Sequence, residues 1–489
     1  MPPERAYETI IGLEVHAEME TASKMFCGCP VVDATTAEPN TAVCPVCSGM
    51  PGVLPVVNEQ AVEYALRVAL ALECEVAERS IFARKNYFYP DLPKGYQISQ
   101  YEHPLAERGR LVIPAESGSR LVRVRRVHLE EDTGKLTHRA DPETGETFSL
   151  VDLNRSGVPL LEIVSEPDMR SAAEARAYGE ALRRILRYLG VNSGDMQKGV
   201  MRFEANVSVR PAGADWLGNR VEIKNLNSFR ALERAIAYEA ARQRAILEAG
   251  GTVEQQTVGW DESAQQTVIQ RSKEEAHDYR YFPEPDLPPL VVPAAWIERV
   301  RASLPELPQA RMRRFVQEYA LPAETAALLV EEAATADYFE ALARATKAPP
   351  RAAANWLTGA LFALLNARGG TAPHEVLPAE AFAALLDLLA EGAINQNTAK
   401  SVLEEMLESG ESASAIVERR GLHQVSDEAA VEAAVDKVLA AHSAQVAQYR
   451  AGKSGLFHYL FGQVMRETRG QADPQVVRRI LNRRLHPDT

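Results

Sequence analysis

Four short segments carry acids, imidazoles and cations at every second position, the spacing that puts side chains on one face of a β-strand. In GLEVHAE, Glu14, His16 and Glu18 share one face, while Leu13, Val15 and Ala17 share the other. In RRVHLEED, His128 and Glu130 align against Val127, Leu129 and Glu131. In MRFEANVSVR, Arg202, Glu204, Asn206, Ser208 and Arg210 align against Phe203, Ala205, Val207 and Val209; in VEIKNLNS, Glu222 and Lys224 oppose Val221 and Ile223. An antiparallel sheet with one wet face produces the same alternation, and for any single segment it is the commoner cause. Solvated faces favour Lys, Glu and Thr, however, and these faces mix His, Asn, Arg and Glu. Carboxylates gathered on one concave sheet repel unless a hard cation or a basic ligand neutralises them. Such donors suit Mg²⁺, which keeps waters and substrate phosphates in its shell. Arg202, Arg210 and Lys224 suit a phosphate's charge. The combination points to phosphoryl transfer from ATP.

A second group is softer. Cys27-x-Cys29 and Cys44-x-x-Cys47 are short-spaced pairs, each able to present two thiolates from one turn to a tetrahedral metal. Softness selects zinc or an iron–sulfur cluster; unmetallated buried thiols are the competing explanation. Pro30 and Pro45 stiffen these turns, and Gly28, Ser48 and Gly49 allow close approach. A closed four-thiolate site has no open position and is structural. Cys74 stands apart on a predicted helix, as a core residue.

These groups need a scaffold of some size. With 489 residues the chain exceeds what one hydrophobic core serves, so several domains are expected. Up to about residue 290, alternating strand segments are interleaved with Pro- and Gly-rich loops such as NYFYPDLPKGYQ. Helices are predicted over 58–73, 171–189 and 228–249, the last beginning after the capping residues Asn227 and Ser228. The predicted class is α+β with an antiparallel sheet. YFPEPDLPPLVVP then reads as a linker, and residues 294–489 are rich in Ala, Leu, Glu and Arg with helical periodicity. The expected division is a catalytic domain over 1–293, a helical domain over 294–408 and a small helical tail over 409–489.

The N-terminus lacks a signal-peptide pattern and no apolar run is long enough for a membrane span, so a cytoplasmic protein without membrane attachment is expected. Neither a P-loop (G-x-x-x-x-G-K followed by Ser or Thr) nor a G-x-G-x-x-G turn after a strand is present. The net charge of −13 argues against indiscriminate nucleic-acid binding by the whole surface. From Arg450 onward, eight basic residues face three acids, a local +5. That end is either ordinary solvated helix or a nucleic-acid contact leaning on phosphates. Tyr87, Phe88, Tyr89 and Tyr96 are either loop packing or the lining of a passage.

Taken together, GLEVHAEM, CPVCSGMPGVLPVVN, RKNYFYPDLPKGYQISQ, HLEEDTGK, DLNRSGVPLLEIVSEPD, GDMQKGVMRFEANVSVR, VEIKNLNSF and the C-terminal GKSGLFHYLFGQVMRETRGQADP closely resemble the B subunit of tRNA-dependent amidotransferases, the GatB family. The resemblance spans essentially the whole chain. It implies a catalytic cradle related to the glutamine-synthetase-like fold, then a helical domain and a tail that touches tRNA. It also implies an ATP-dependent carbon–nitrogen ligase whose substrate is mischarged Glu-tRNA(Gln) or Asp-tRNA(Asn). ATP phosphorylates the esterified side-chain carboxylate, and ammonia from a glutaminase partner displaces the phosphate. The implied partners are the amidase subunit GatA, the subunit GatC and a non-discriminating synthetase. Implied Mg²⁺ ligands are Glu14, His16 and Glu130, with Glu131 and Glu204; Lys85 falls at the end of the ammonia passage. Arg202 and Lys224 join the catalytic group, Arg210, Asn206, Asn154 and Glu222 the nucleotide-binding group, and Cys27, Cys29, Cys44 and Cys47 hold structural Zn²⁺. One departure stands out: where the family commonly has Asp before Ala-Asn-Val-Ser, this chain has Glu204, one methylene longer.

Two rivals arise from the residues. A stand-alone ligase using free ammonia would be independent of a glutaminase partner, and no glutaminase nucleophile is recognisable in the chain. A non-catalytic tRNA-binding scaffold would tolerate loss of Glu14 or His16.

Overall fold

The computed structural model describes residues 7–116, 118–272, 279–423, 428–468 and 470–486. The chain divides into two compact units, residues 1–307 and 308–489.

The first unit is built on a nine-stranded sheet in which the strand Tyr7–Glu18 lies near the middle. It is flanked by Met201–Pro211 on one side and Pro159–Ser165 on the other, both antiparallel. Gly118–Glu131 pairs next to Pro159–Ser165, and Val221–Leu226 next to Met201–Pro211. Among the described residues, only Val221–Leu226 and Gln256–Asp261 run parallel. The alternation fixes the two faces: Leu13, Val15, Ala17, Phe203, Ala205, Val207, Val127 and Leu129 are all buried on one of them. Three helices cover that face: Glu59–Ala71, Ala172–Tyr188 and Phe229–Glu248. They match the predicted spans, and each starts on a side-chain cap: Asn58, Ser171 and Ser228. Gly179 permits the close crossing, since a Cβ there would meet the rings of Phe203 and Phe229 at 3.0 Å. The opposite face keeps its charged side chains and is partly covered by a three-stranded sheet of Ala83–Asn86, Tyr96–Ser99 and Phe282–Pro283.

The expected linker at 281–293 is part of this unit. Phe282–Pro283 and Leu290–Val291 both pair as strands, and the helix Ala294–Ser303 buries Val300 in the same core. Prolines there interrupt helix, but at sheet edges they cost no ladder bond. The second unit is helical and holds two apolar cores. One runs from Phe315 to Val417, the other from Val431 to Leu485. The anticipated break at 408 therefore falls inside a core, because Ala413, Ile416 and Val417 pack back onto it. Gly410 in the left-handed region ends one helix and lets the chain turn without leaving the bundle. No helix among the described residues is long and apolar enough to cross a membrane.

Candidate active site and cysteine cluster

Cross-strand register turns separate sequence signals into one surface. Glu14 lies opposite Glu204, and His16 lies between Arg202 and Glu162. Glu162 in turn pairs with His128, and Asn206 with Glu222. Two groups of metal-type donors result, each with its ligand atoms within 4.8 Å of one another: His16, Glu130 and Glu162, and Glu14, Glu204 and Glu222.

In the first group, His16 Nε2 is 3.4 Å from Glu162 Oε2 and 3.8 Å from Glu130 Oε1. Burial would lower the His16 imidazole pKa, but Glu162 and Glu130 outweigh it and raise it to about 9. Burial works against ionisation of Glu162 as well, yet His128 and His16 hold its carboxyl well below the usual range. Ser99, from the small covering sheet, donates to Glu130 Oε2 at 3.1 Å. Lys85 comes from the same sheet, its ammonium 5.0 Å from the Tyr279 ring centre. Its burial opposes the charge, but Glu130, Tyr281 and Glu162 overcome that and raise it.

In the second group, burial and the neighbouring Glu162, Glu204 and Glu222 carboxylates all push Glu14 upward. Asn206 donates to Glu14 at 3.0 Å. Lys224 reaches Glu204 at 3.0 Å and Glu222 at 3.5 Å. A register shift opposite Glu204 lets it do so, with Asn225 in the left-handed conformation. Three carboxylates this close with one lysine leave negative charge in excess, and a cation relieves it. Beside Glu14 and Asn206 opens a cavity of about 310 Å³, which Arg125, Ser208, Asn219 and Arg220 also line.

Several expected residues go elsewhere. Glu131 points away from His16; its carboxylate takes Lys94 and the Ile98 amide, as strand alternation requires of the residue after Glu130. Asn154 is fully buried, and its side chain is spent on the Ala42 amide and the Glu38 carbonyl, pinning a loop. Arg210 pairs with Glu8 and donates to the Trp216 carbonyl at 3.0 Å. Arg202 sits beside His16 but binds Asp132 at 2.8 Å and Glu18 at 3.3 Å. In the tail, Arg479, Arg483 and Arg484 pair with Glu428, Glu432 and Asp436 of the helix Glu428–Ala441. Much of the local +5 is therefore neutralised by acids that precede Arg450. Glu162 and Asp132 were not anticipated. Glu162 lies in PLLEIVS, a strand buried almost throughout, where the lone carboxylate was the only signal.

The four clustered cysteines converge, all thiol sulfurs within 4.8 Å and none in a disulfide. Cys47 Sγ is 3.9 Å from Cys29 Sγ and from Cys44 Sγ. Four sulfurs about 2.3 Å from one tetrahedral ion stand about 3.8 Å apart, so the set fits a single zinc-type ion. Lys24, fully buried, places its ammonium 3.6 Å from Cys47 Sγ and 3.2 Å from the Leu153 carbonyl. Cys27, the Cys44 amide and Lys24 hold the Cys47 thiol below its usual range despite burial, and Cys27 rises in return. The cluster also abuts the end of the strand Gly118–Glu131: a Cβ on Gly157, whose φ is +84°, would lie 3.3 Å from Cys47 Cβ and 3.9 Å from Glu131 Oε2.

Residues 9–298 match the GatB/GatE catalytic domain, and residues 337–485 match the GatB domain. The chain belongs to the GatB/GatE family. It is 55% identical over 98% of its length to the whole of the B subunit of the Moorella thermoacetica aspartyl/glutamyl-tRNA(Asn/Gln) amidotransferase. The protein of the same name from Thermomicrobium roseum is 52% identical over 98% of this chain and 99% of its own length. That of Myxococcus xanthus is 50% identical over 99% of both. The catalytic-domain match covers both carboxylate groups and all four clustered cysteines.

Proposed function

We propose that this chain is the amidating subunit of a tRNA-dependent amidotransferase, converting mischarged Glu-tRNA(Gln), Asp-tRNA(Asn) or both into Gln-tRNA(Gln) and Asn-tRNA(Asn). The observation that carries it is the pair of carboxylate groups on one sheet face of a chain whose near full-length relatives bear that enzyme's name. A side-chain carboxylate is a poor acyl donor because it has no leaving group. In the first step its oxygen attacks the γ-phosphorus of ATP and ADP departs. In the second, ammonia nitrogen attacks the acyl carbon, the bond to the phosphate oxygen breaks, and inorganic phosphate leaves as nitrogen gives up a proton.

His16, Glu130 and Glu162 on one side, and Glu14, Glu204 and Glu222 on the other, are the residues that would hold Mg²⁺. Bound there, such ions supply charge neutralisation for the transferring phosphoryl group. Lys85 adds a buried ammonium at the Glu130 end, a position suited to acyl-phosphate charge or to the arrival of ammonia. Lys224 holds Glu204 and Glu222 in place, and Asn206 fixes Glu14. The cavity beside Glu14 suits the nucleotide, with Arg125 and Arg220 on its rim. The covering sheet with Lys85 and Ser99 keeps water from an acyl phosphate. The four cysteines would hold a structural zinc.

Ammonia is supplied by an amidase subunit, GatA, with GatC completing the assembly, and the setting is the cytoplasm. The bundle around the 431–485 core is the element that meets tRNA, and the cradle resembles the glutamine-synthetase-like fold. The test is co-purification with the amidase partner, followed by ATP- and glutamine-dependent amidation of each mischarged tRNA. Amidation of at least one supports the reading. Failure with both, while the two proteins are intact and bound, overturns it.

A further inference from the structure

His128 belongs to neither donor group, yet it is the most enclosed ionisable side chain beside the first one. Its relative exposure is 2%, its Nδ1 has no hydrogen-bond partner among the described residues, and its Nε2 faces the site. Nε2 lies 3.4 Å from Glu162 Oε2 and 3.8 Å from Glu130 Oε2. Glu130 is thereby divided: Oε1 faces His16, while Oε2 faces His128 and the Ser99 hydroxyl. Glu162 Oε2 stands equally far from both imidazoles. His128 also follows from the register, since it pairs directly with Glu162 across the strands. His16 is the more open member of the set, its side chain 15% exposed, and His128 the closed one, so a cation entering from the face meets His16 first.

A buried donor behind two carboxylates restricts their rotation and occupies the lone pairs that a cation does not use. Outer partners of this kind decide how well ligands converge. We infer that His128, backed by Ser99, is the positioning residue of the His16–Glu130–Glu162 group: it holds Glu130 at Oε2, which leaves Oε1 facing His16, and it holds Glu162 at Oε2, the oxygen it shares with His16. The inference rests on the proposal that this group binds a divalent cation.

The experiment measures Mn²⁺ binding to the full-length chain by calorimetry and by electron paramagnetic resonance, alongside thermal unfolding. Three variants serve: His128→Leu, which removes the donor; His128→Gln, which keeps an N–H within reach of the Nε2 position; and Ser99→Ala. The expected result is a roughly 10–100-fold weaker site in His128→Leu. His128→Gln should recover most of that loss, and Ser99→Ala should show a smaller weakening in the same direction. A purely structural histidine would instead lower the melting temperature in both His128 variants and leave the metal affinity of the folded chain unchanged. Mn²⁺ affinity in His128→Leu equal to that of the unaltered chain, or His128→Gln no better than His128→Leu with both folded, overturns the inference. Should His128→Leu not fold, the other two variants decide, with Glu130→Gln as the reference for a lost ligand. A weakened Ser99→Ala with His128→Gln binding well above Glu130→Gln then supports the inference. An unchanged Ser99→Ala, or a His128→Gln weakened as far as Glu130→Gln, overturns it. Absence of any Mn²⁺ site in the unaltered chain overturns both this inference and the cation-binding proposal beneath it, whereas the preceding outcomes leave that proposal standing.

Discussion

The cysteine cluster and the carboxylate face both bring metal-type donors within 4.8 Å, by opposite constructions. The cysteines sit on two turns close in sequence, held by few strand contacts, with a single buried cation, Lys24, beside Cys47. The carboxylates stand on five adjacent strands of a sheet whose other face is the main core, and they are met by Lys224, Lys85 and two imidazoles. In the first, the ion would hold the loops; in the second, the sheet holds the ligands whether or not an ion is present. Removing donors should therefore act on stability in one place and on chemistry in the other.

The largest effect is expected at the cysteines. A structural zinc site contributes on the order of 10 kcal/mol of binding free energy in small zinc-dependent folds. Cys44→Ser combined with Cys47→Ser should abolish zinc in metal analysis and lower the melting temperature sharply, with amidation falling as a consequence. If the purified unaltered chain carries no zinc and the double variant melts where it does, the contrast collapses.

Next comes Glu14→Gln. It should cut ATP-dependent amidation by about 100-fold or more, in the range seen when one preorganised electrostatic contact to a transition state is lost. Its melting temperature should stay level or rise, because burial and three neighbouring carboxylates already disfavour the charge that the substitution removes. A fall in stability comparable to that of the cysteine variant would show that the face is structural and not catalytic.

The same contrast explains what the sequence could reveal. The cysteines were legible because each pair is local: spacing alone states the geometry. Glu14, His16, Glu130 and Glu204 were legible because each lies on a strand with one apolar face. Glu162 was not, because Pro159–Ser165 is buried on both faces and leaves no alternation to read. Glu131 entered only through the family resemblance, although period-two geometry sends it to Lys94. Asn154 sits in a strongly patterned loop, but the need of a buried loop backbone for partners claims its amide. That the donors divide into two groups could not be seen at all, since the division depends on register between strands far apart in the chain.

A smaller effect tests the reach of one donor. Glu204→Asp introduces the shorter acid that the family resemblance leads one to expect here and keeps the charge opposite Glu14. Amidation kcat/KM should stay within about threefold, whereas Glu204→Ala should lose most of it. Equal losses in the two would mean that the register shift has tuned this site to the longer side chain.

The finest distinction lies at Lys24. Four thiolates around one divalent ion leave two negative charges uncompensated, and Lys24 is the buried cation in contact with them through Cys47. Lys24→Met keeps most of the aliphatic stem, so packing around the fully buried position is largely preserved. The lost ammonium should weaken zinc binding by about tenfold, measured by chelator competition, through the same outer-shell effect that tunes other metal sites. Amidation with zinc in excess should be unaffected, because Lys24 reaches the cluster and the Leu153 carbonyl and not the carboxylate face. An undiminished zinc affinity would assign Lys24 to loop packing alone; a loss of amidation at saturating zinc would mean that the contact through Gly157 carries strain from the cluster to the Glu130 strand end, and that the two regions are not separable after all.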